Sequence, residues 1–338
     1  MRAISGVSIK SQCSRHNFYG FAPELEKTFG DLEGEAASVI RQVKASQEVP
    51  AHGSQQWSTL LGYLVFQKLR TTNTGYMMDA MTDYFGKLWL EGTEYAEDAR
   101  RLNLKIENVY PAAIPLSLVG SVLPIADDLR MHLLVNKTDR EFLTSDDPVV
   151  AHNQFCEGIS YQGVTGWNCV GLKLFFPLSP TELILLFDPT TYKVGRSHRG
   201  SNVTSITDER DVAQLNSLQI LNANQNVYYA GFKNSDKTIS ECNGVAPRRR
   251  KTRTTFVETE AKQEGPDTFG SILHMYEPLL PTRLTVSEMT IRRDRRRVPI
   301  RVRPNMYRRV IPKTAEQRAA YGEAPPPGRY AVKKITHV

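Results

Sequence analysis

The fold of this chain is decided by the segment Arg140-Glu-Phe-Leu-Thr-Ser-Asp-Asp-Pro-Val-Val150, in which strand-forming residues run into a cluster of small polar and acidic ones. Two further runs follow it, Leu172-Lys-Leu-Phe-Phe-Pro-Leu-Ser-Pro180 and Glu182-Leu-Ile-Leu-Leu-Phe187. Each run is short, rich in strand-forming residues and bounded by turn residues, which predicts three strands of one sheet. Many folds hold their chemistry where a strand ends in two carboxylates, but the same residues also form a common turn. Both interpretations stay open at Asp146 and Asp147.

The half of the chain that precedes these strands is predicted to be helical. From Pro23 to Val43, apolar residues recur at steps of three and four residues and form one stripe. The same spacing predicts further helices over about 55–69 and 75–91, a more broken one over 115–128, and a last one over about 209–225. Helices first and strands later favour the α+β class, with an N-terminal helical half packed on a small, mainly antiparallel sheet.

The charge of the chain predicts a division into a body and an extension. The body, residues 1–235, is predicted to be helical over 20–130 and to contain the sheet over 131–235. Residues 1–245 carry 22 Lys and Arg against 27 Asp and Glu, whereas residues 246–338 carry 21 against 9, so the net charge of +7 comes from a net of −5 and a net of +12. Little apolar periodicity accompanies the basic runs, and we therefore predict a basic, partly disordered C-terminal extension over 236–338.

Cysteine usage and hydropathy indicate the compartment. The four cysteines lie far apart and lack the spacing of a zinc site, which favours free thiols in a reducing cytoplasm; they are Cys13, Cys156, Cys169 and Cys242. No uninterrupted apolar run approaches the length of about 20 residues that spans a bilayer, so we expect no membrane partner. The chain contains neither a P-loop nor a dinucleotide fingerprint, and no nucleotide or organic cofactor is indicated.

Five motifs in a fixed order resemble a known family. They are the helix Leu25–Val43, Gln67-Lys-Leu-Arg-Thr71, Phe142-Leu-Thr-Ser-Asp-Asp-Pro148, Phe176-Pro-Leu-Ser-Pro180, and Leu215-Asn-Ser-Leu-Gln219 with Val227-Tyr-Tyr-Ala230. The resemblance is to the mainly microbial family catalogued as domain of unknown function 4238, and it covers about residues 15–232. It supports the fold prediction but implies no activity. Family members usually open with a segment resembling His-Tyr-Val-Pro-x-x-Tyr-Leu, which this chain lacks, and the basic extension lies outside the resemblance.

The paired aspartates predict a metal site at the end of a strand. Asp146 and Asp147 can hold Mg²⁺ or Mn²⁺ through oxygen ligands, with Glu33 of the first helix as a third ligand. Arg70 would face a phosphate, and these four residues would be the catalytic set of a metal-dependent nuclease or phosphodiesterase. The alternative is an Asx-type turn that caps backbone N–H groups, with Arg70 only complementing a helix dipole. His152 is interpreted as a solvated loop histidine in preference to a general base.

The basic extension predicts contact with nucleic acid. The residues expected to touch phosphates are Arg248, Arg249, Arg250, Lys251, Arg295, Arg296, Arg297, Arg308 and Arg309. Arginine runs make many phosphate contacts without reading bases, and their affinity falls steeply with salt. An acidic protein partner is the alternative ligand for the same surface.

Three functions therefore stay open. The first is a cytoplasmic nucleic-acid-associated protein with metal-dependent nuclease activity at Asp146 and Asp147. The second is a non-catalytic module that binds RNA, DNA or a protein partner through its extension. The third is a structural subunit of a larger assembly.

Overall fold

The computed structural model describes residues 4, 23–157, 163–195, 201–231, 235–250, 253–260, 271–292, 303 and 332–337. The helices are α1 (Pro23–Ser46), α2 (Gln55–Leu69), α3 (Thr72–Leu90), α4 (Ala96–Arg101), α5 (Ala113–Ser117), α6 (Val119–Ala126), α7 (Glu209–Asn222) and α8 (Ser235–Val245). The strands are β1 (Arg130–Asn136), β2 (Thr144–Ser145), β3 (Val150–His152), β4 (Lys173–Pro177), β5 (Glu182–Phe187), β6 (Tyr192–Val194), β7 (Val203–Ile206), β8 (Val227–Tyr228), β9 (Thr255–Glu260), β10 (Ser271–Tyr276), β11 (Met289–Ile291) and β12 (Val332–His337).

Five of these strands form the central sheet in the order β3-β4-β5-β1-β7. Neighbouring strands are antiparallel except for β1 and β7, which run parallel. In the middle of the sheet Leu133 lies opposite Ile184 on one side and Val203 on the other. The mainly antiparallel sheet that the sequence predicts is therefore confirmed.

Helices cover both faces of this sheet. Along β5, Leu183, Leu185 and Phe187 share a hydrophobic cluster with the apolar residues of α7. The residues between them, Ile184 and Leu186, belong to a second cluster with the apolar residues of α2. A strand that is buried on both faces needs apolar residues at every position, which is why β5 is a continuous apolar run in the sequence. The α+β class with an N-terminal helical half is confirmed.

The expected broken helix over 115–128 is split into α5 and α6. Pro115 lies inside the first of these short helices and Pro124 inside the second. Proline removes an N–H donor and its ring crowds the preceding turn, so a long uninterrupted helix cannot form here. None of the described helices is long and apolar enough to cross a membrane. No disulfide joins the described cysteines Cys156, Cys169 and Cys242 to one another, and Cys13 lies outside the described residues.

Part of the predicted extension is built into the body. Cys242 and Val245 of α8 pack in the same cluster as α7, together with Leu284 from further along the chain. Strand β11 pairs antiparallel with β6, where Thr290 lies opposite Lys193. In the described residues 235–250 and 271–292, the extension forms a helix and short strands, and its apolar side chains complete the core on the α7 side of the sheet.

Candidate functional site

The segment that leads into the paired aspartates is held by amide side chains of α7. Asn216 accepts a hydrogen bond from the backbone N–H of Leu143 at 2.9 Å and donates one to the carbonyl of Glu141 at 2.9 Å. The side-chain amide thus pairs with the strand as a neighbouring backbone would. This pairing explains why the predicted strand over 141–144 forms only the short bridge of β2 with β8.

Two more amides continue this pairing along the same helix. Gln219 accepts from the hydroxyl of Ser145 at 2.8 Å and donates to the carbonyl of Pro148 at 2.8 Å. Asn222 donates to the carbonyl of Asp147 at 2.8 Å. Residues spaced by three along a helix lie close together on one side of it. We call Asn216, Gln219 and Asn222 the amide ladder, since together they fix the backbone from residue 141 to residue 148.

Asp146 closes the loop that follows α7. One carboxylate oxygen accepts from the N–H of Asn224 at 2.7 Å, and the other accepts from Gln225 at 2.7 Å and Asn226 at 2.9 Å. The backbone N–H of Asp146 donates to the carbonyl of Asn226 at 3.2 Å. The carboxylate thus receives three backbone N–H groups from a loop that is distant in sequence, whereas an Asx turn would bond N–H groups within its own turn.

Asp147 points into the protein and is only 1% exposed. Its Oδ2 accepts from the Asn73 side chain at 2.7 Å, and its Oδ1 lies 3.8 Å from the Lys68 ammonium. Burial raises the pKa of Asp147, and the attraction of Lys68 only partly offsets this. The carboxylate is therefore bound to the end of α2 and the start of α3, not to solvent.

Lys68 also connects this site to a segment beyond the family motifs. Its Nζ lies 3.8 Å from Glu277 Oε2, and Arg250 donates to Glu277 Oε1 at 2.8 Å. Burial would raise the pKa of Glu277, but Lys68 and Arg250 lower it to about 2. Burial would likewise lower the pKa of Lys68, but Asp147 and Glu277 raise it. We call Lys68, Asp147, Arg250 and Glu277 the buried charge cluster, in which two cations face two carboxyl groups.

Glu33 and Arg70 contact each other. The Arg70 guanidinium donates to the Glu33 carboxylate, and its central carbon lies 4.8 Å from the centre of the Phe66 ring. The four residues of the predicted catalytic set therefore lie in three separate environments, since Asp146 binds the loop after α7, Asp147 contacts Lys68, and Glu33 is paired with Arg70. Within the described part of the chain, no group of three or more His, Cys, Asp or Glu side chains is placed to hold a metal ion. The Mg²⁺ or Mn²⁺ site stays a prediction.

Two arginines of the first basic run have hydrogen-bond acceptors within the fold. Arg248 is exposed, but Arg249 donates to the carbonyl of Ile220 at 2.7 Å and Arg250 belongs to the buried charge cluster. The other residues expected to bind nucleic acid lie outside the described residues; they are Lys251, Arg295, Arg296, Arg297, Arg308 and Arg309.

A second buried polar group lies at the β3–β4 edge of the sheet. Lys173 is fully buried, donates to Gln154 at 3.0 Å and lies 4.4 Å from the centre of the Tyr192 ring. Burial lowers the pKa of Lys173 to about 7. His152 is also fully buried and lies 3.2 Å from Glu157, and burial lowers its pKa. The interpretation of His152 as a solvated loop histidine is wrong, because His152 is the last residue of β3 and its side chain faces the interior of the protein.

Several residues of the site were not identified from the sequence. Lys68, Asn73 and Glu277 complete the surroundings of Asp147, and the amide ladder fixes its backbone. One signal was available for the ladder, since its three amides recur at steps of three along α7. The position of Glu277 has no comparable local signal.

Comparison with known proteins agrees with the order of motifs. The model of a family described as "Protein of unknown function (DUF4238)" matches residues 1–231. No curated protein and no solved structure matches the chain. The matched range contains Asp146, Asp147 and the whole amide ladder, whereas Arg250 and Glu277 lie beyond it. The resemblance predicted from the sequence is confirmed.

Proposed function

This chain belongs to the DUF4238 family, and we propose that it is a cytoplasmic nucleic-acid-binding protein in which the arginine-rich extension contacts phosphates and the body is a scaffold. The observation that carries the proposal is the division of charge, with a net of −5 over residues 1–245 and +12 over residues 246–338. A strongly basic segment attracts the phosphate backbone irrespective of sequence, whereas an acidic body repels it. Nucleic acid therefore binds at the extension.

The surroundings of the acidic residues support a scaffold role for the body. Asp146 receives three backbone N–H groups, Asp147 is buried against Asn73 and Lys68, and Glu33 is paired with Arg70. A carboxylate that already accepts several hydrogen bonds inside the fold has few lone pairs left for a metal or a water. These contacts favour binding without catalysis.

The contacts of the first basic run narrow the set of phosphate-binding residues. Arg249 and Arg250 have acceptors inside the protein, and the charge of Arg250 is balanced by Glu277. We therefore assign phosphate contact to the remaining residues of the predicted set, which are Arg248, Lys251, Arg295, Arg296, Arg297, Arg308 and Arg309.

The test is the salt dependence of nucleic-acid binding by the full-length protein. Fluorescence anisotropy would measure the affinity for labelled duplex DNA, single-stranded DNA and RNA over a range of salt concentrations. The triple variant R295Q/R296Q/R297Q is compared with R100Q/R101Q/R210Q, which removes three exposed cations from the body. Losing three phosphate contacts lowers the slope of log K against log salt for duplex DNA by roughly 2 to 3.

The body variant is expected to leave that slope unchanged. Equal slopes for both variants, or no binding by the wild-type protein, would contradict the proposal. Polyglutamate serves as a competitor of the opposite class, and a preference for polyglutamate over nucleic acid would assign the extension to an acidic protein partner. The same result would fit a subunit of a larger assembly.

Metal-dependent nuclease activity is the second candidate, and one observation favours it. Asp147 Oδ1 is buried and has no hydrogen-bond partner among the described residues, with the Lys68 ammonium 3.8 Å away. Cleavage of labelled DNA and RNA is measured with Mg²⁺, with Mn²⁺ and with EDTA, for the wild type, D146N and D147N. An enzyme loses turnover in D147N but keeps binding.

The control for this second test is D188N. Asp188 is also fully buried and accepts hydrogen bonds from Gly171, Thr190 and Thr191, away from the predicted catalytic set. If D188N loses cleavage as fully as D147N does, the loss in D147N results from disrupted folding and not from the removal of a catalytic group. If the wild type does not cleave with either metal, the nuclease candidate is wrong.

A further inference from the structure

One arginine of the extension lies inside the body. Arg303 is 1% exposed, and its Nε donates to the Asp128 carboxylate at 2.8 Å. One terminal nitrogen donates to the carbonyls of Trp167 at 2.6 Å and Cys169 at 3.2 Å, and the other donates to the carbonyl of Ile125 at 2.5 Å. All three guanidinium nitrogens therefore have acceptors that belong to the body.

The acceptors come from two parts of the fold that converge on this point. Ile125 lies in the last turn of α6, where helix carbonyls have no partner within the helix and carry partial negative charge. The other two carbonyls belong to the loop that precedes β4. The backbone of the extension is held at the same place, because the N–H of Arg303 donates to the carbonyl of Asn168 at 3.0 Å.

This set of acceptors fits a guanidinium and not an ammonium. Guanidinium is planar and presents N–H groups in a fixed fork, so one side chain can reach the carboxylate and the three carbonyls together. A lysine ammonium is a compact charge with three donors, and it would leave buried acceptors without a partner. An unpaired buried acceptor is costly, which makes the site selective for arginine.

The position of Arg303 along the chain gives this contact its consequence. Arginine runs lie on both sides of it, at 292–297 and at 308–309. We propose that Ile125, Asp128, Trp167 and Cys169 form a guanidinium socket by which the acidic body binds its own basic extension, with Arg303 as the ligand. The socket holds residue 303 on the body, in addition to the parts of the extension that α8 and β11 already join to it, and this contact does not depend on the function proposed above.

Hydrogen exchange of the full-length protein tests the socket, with R303A, R303K and R301A as variants. R303A is expected to speed exchange at least 10-fold in peptides that cover 125–129 and 167–170 and in the peptide that contains residue 303. R301A removes the same charge from the same run and is expected to leave all three regions unchanged. R303K, which keeps the charge but lacks the fork, is expected to behave as R303A does.

Chemical rescue separates the socket from the attachment of the extension. Methylguanidinium chloride at millimolar concentration is expected to restore slow exchange in 125–129 and 167–170 of R303A. It cannot restore slow exchange in the peptide that contains residue 303, because free methylguanidinium is not joined to the extension. The same concentration of sodium chloride is the control for ionic strength.

Three results would overturn the proposal. They are unchanged exchange in R303A, full recovery by R303K, and protection of the residue-303 peptide that falls on dilution, which would make a second copy of the chain the source of the arginine. If R303A does not fold, D128N is used instead, since it removes the carboxylate and keeps the three carbonyls. D128N is expected to speed exchange at residue 303 by a smaller factor.

Discussion

Asn73 donates a 2.7 Å hydrogen bond to the Asp147 carboxylate and a second one, at 3.1 Å, to the carbonyl of Asn222. A single side chain at the start of α3 thus joins the strand exit to the end of α7. Because all three residues are buried, these bonds are protected from water. The family motifs around residues 70, 147 and 219 meet at this amide.

Replacing Asn73 by alanine should therefore destabilise the protein. Asp147 would lose the 2.7 Å hydrogen bond that Asn73 donates, and we expect N73A to lower the free energy of unfolding by about 2–3 kcal/mol, because the lost bond involves a buried carboxyl group. Urea unfolding at neutral pH measures this loss. N108A is the matched control, since Asn108 makes a similar bond to Asp79 at a half-buried position and should cost less than half as much. Equal losses would show that burial of the bond is unimportant.

The amide ladder predicts a second large loss. N216A would leave the N–H of Leu143 and the carbonyl of Glu141 without partners, and we expect a loss of about 3 kcal/mol. Q214A removes an amide from the same helix whose hydrogen bonds to Thr285 are exposed, and it should cost less than about 1 kcal/mol. Both values come from urea unfolding curves. A loss in N216A no greater than that in Q214A would contradict the structural role of the ladder.

Lys173 predicts a pH dependence with a definite sign. Its pKa falls from 10.5 in the unfolded chain to about 7 in the folded protein, because burial disfavours the charged ammonium. Between these values the unfolded chain binds a proton that the folded protein does not, so stability rises as the pH rises from 7 towards 10.5.

The variant K173M replaces the titrating ammonium with an uncharged side chain and therefore removes this pH dependence. We compare the free energy of unfolding of the wild type with that of K173M at two pH values. The difference, wild type minus K173M, should rise by about 3 kcal/mol between pH 7 and pH 9.5. K237M, at a half-exposed lysine of α8, should keep the same difference from the wild type at both pH values. A constant difference between the wild type and K173M would refute the lowered pKa of Lys173.

Gly171 predicts an effect of backbone geometry. Its φ is +77°, and an added Cβ would lie 2.6 Å from Asn153 Oδ1 and 2.7 Å from Phe155 Cβ. We expect G171A to lose at least about 2 kcal/mol from this strain and crowding. G62A adds the same methyl group in α2, where nothing lies within 4 Å of the new atom, and helix propensity should make it neutral or more stable by up to about 1 kcal/mol. Thermal unfolding of the two variants gives the comparison.

The elements that local patterns specify could be predicted from the sequence. The apolar run Leu183–Phe187 and the apolar stripe of Pro23–Val43 each indicate that one strand or helix is buried, and the structure forms both. Such patterns repeat within a few residues, so no knowledge of the tertiary structure is needed.

Contacts between distant segments could not be predicted in this way. Lys68 meets Glu277, and Arg303 enters the pocket beside Asp128, without any periodicity that links these positions. In the sequence Arg303 is one arginine among many, and only the surrounding carbonyls distinguish it from its neighbours. At the end of α2, the helical rotation of about 100° per residue directs Lys68, and not Arg70 two residues later, towards Asp147.

The amide ladder also protects the chain from aggregation with other copies of itself. An extended segment with free N–H and C=O groups is a template on which another polypeptide can add a strand and begin aggregation. Between residues 141 and 148, side chains of α7 form hydrogen bonds with several of those groups. The helix therefore prevents a strand of another chain from pairing with this segment. Loss of one amide thus weakens the fold and also leaves a backbone group of this segment able to pair with a strand of another chain. Resistance to aggregation therefore depends on the amide side chains of α7.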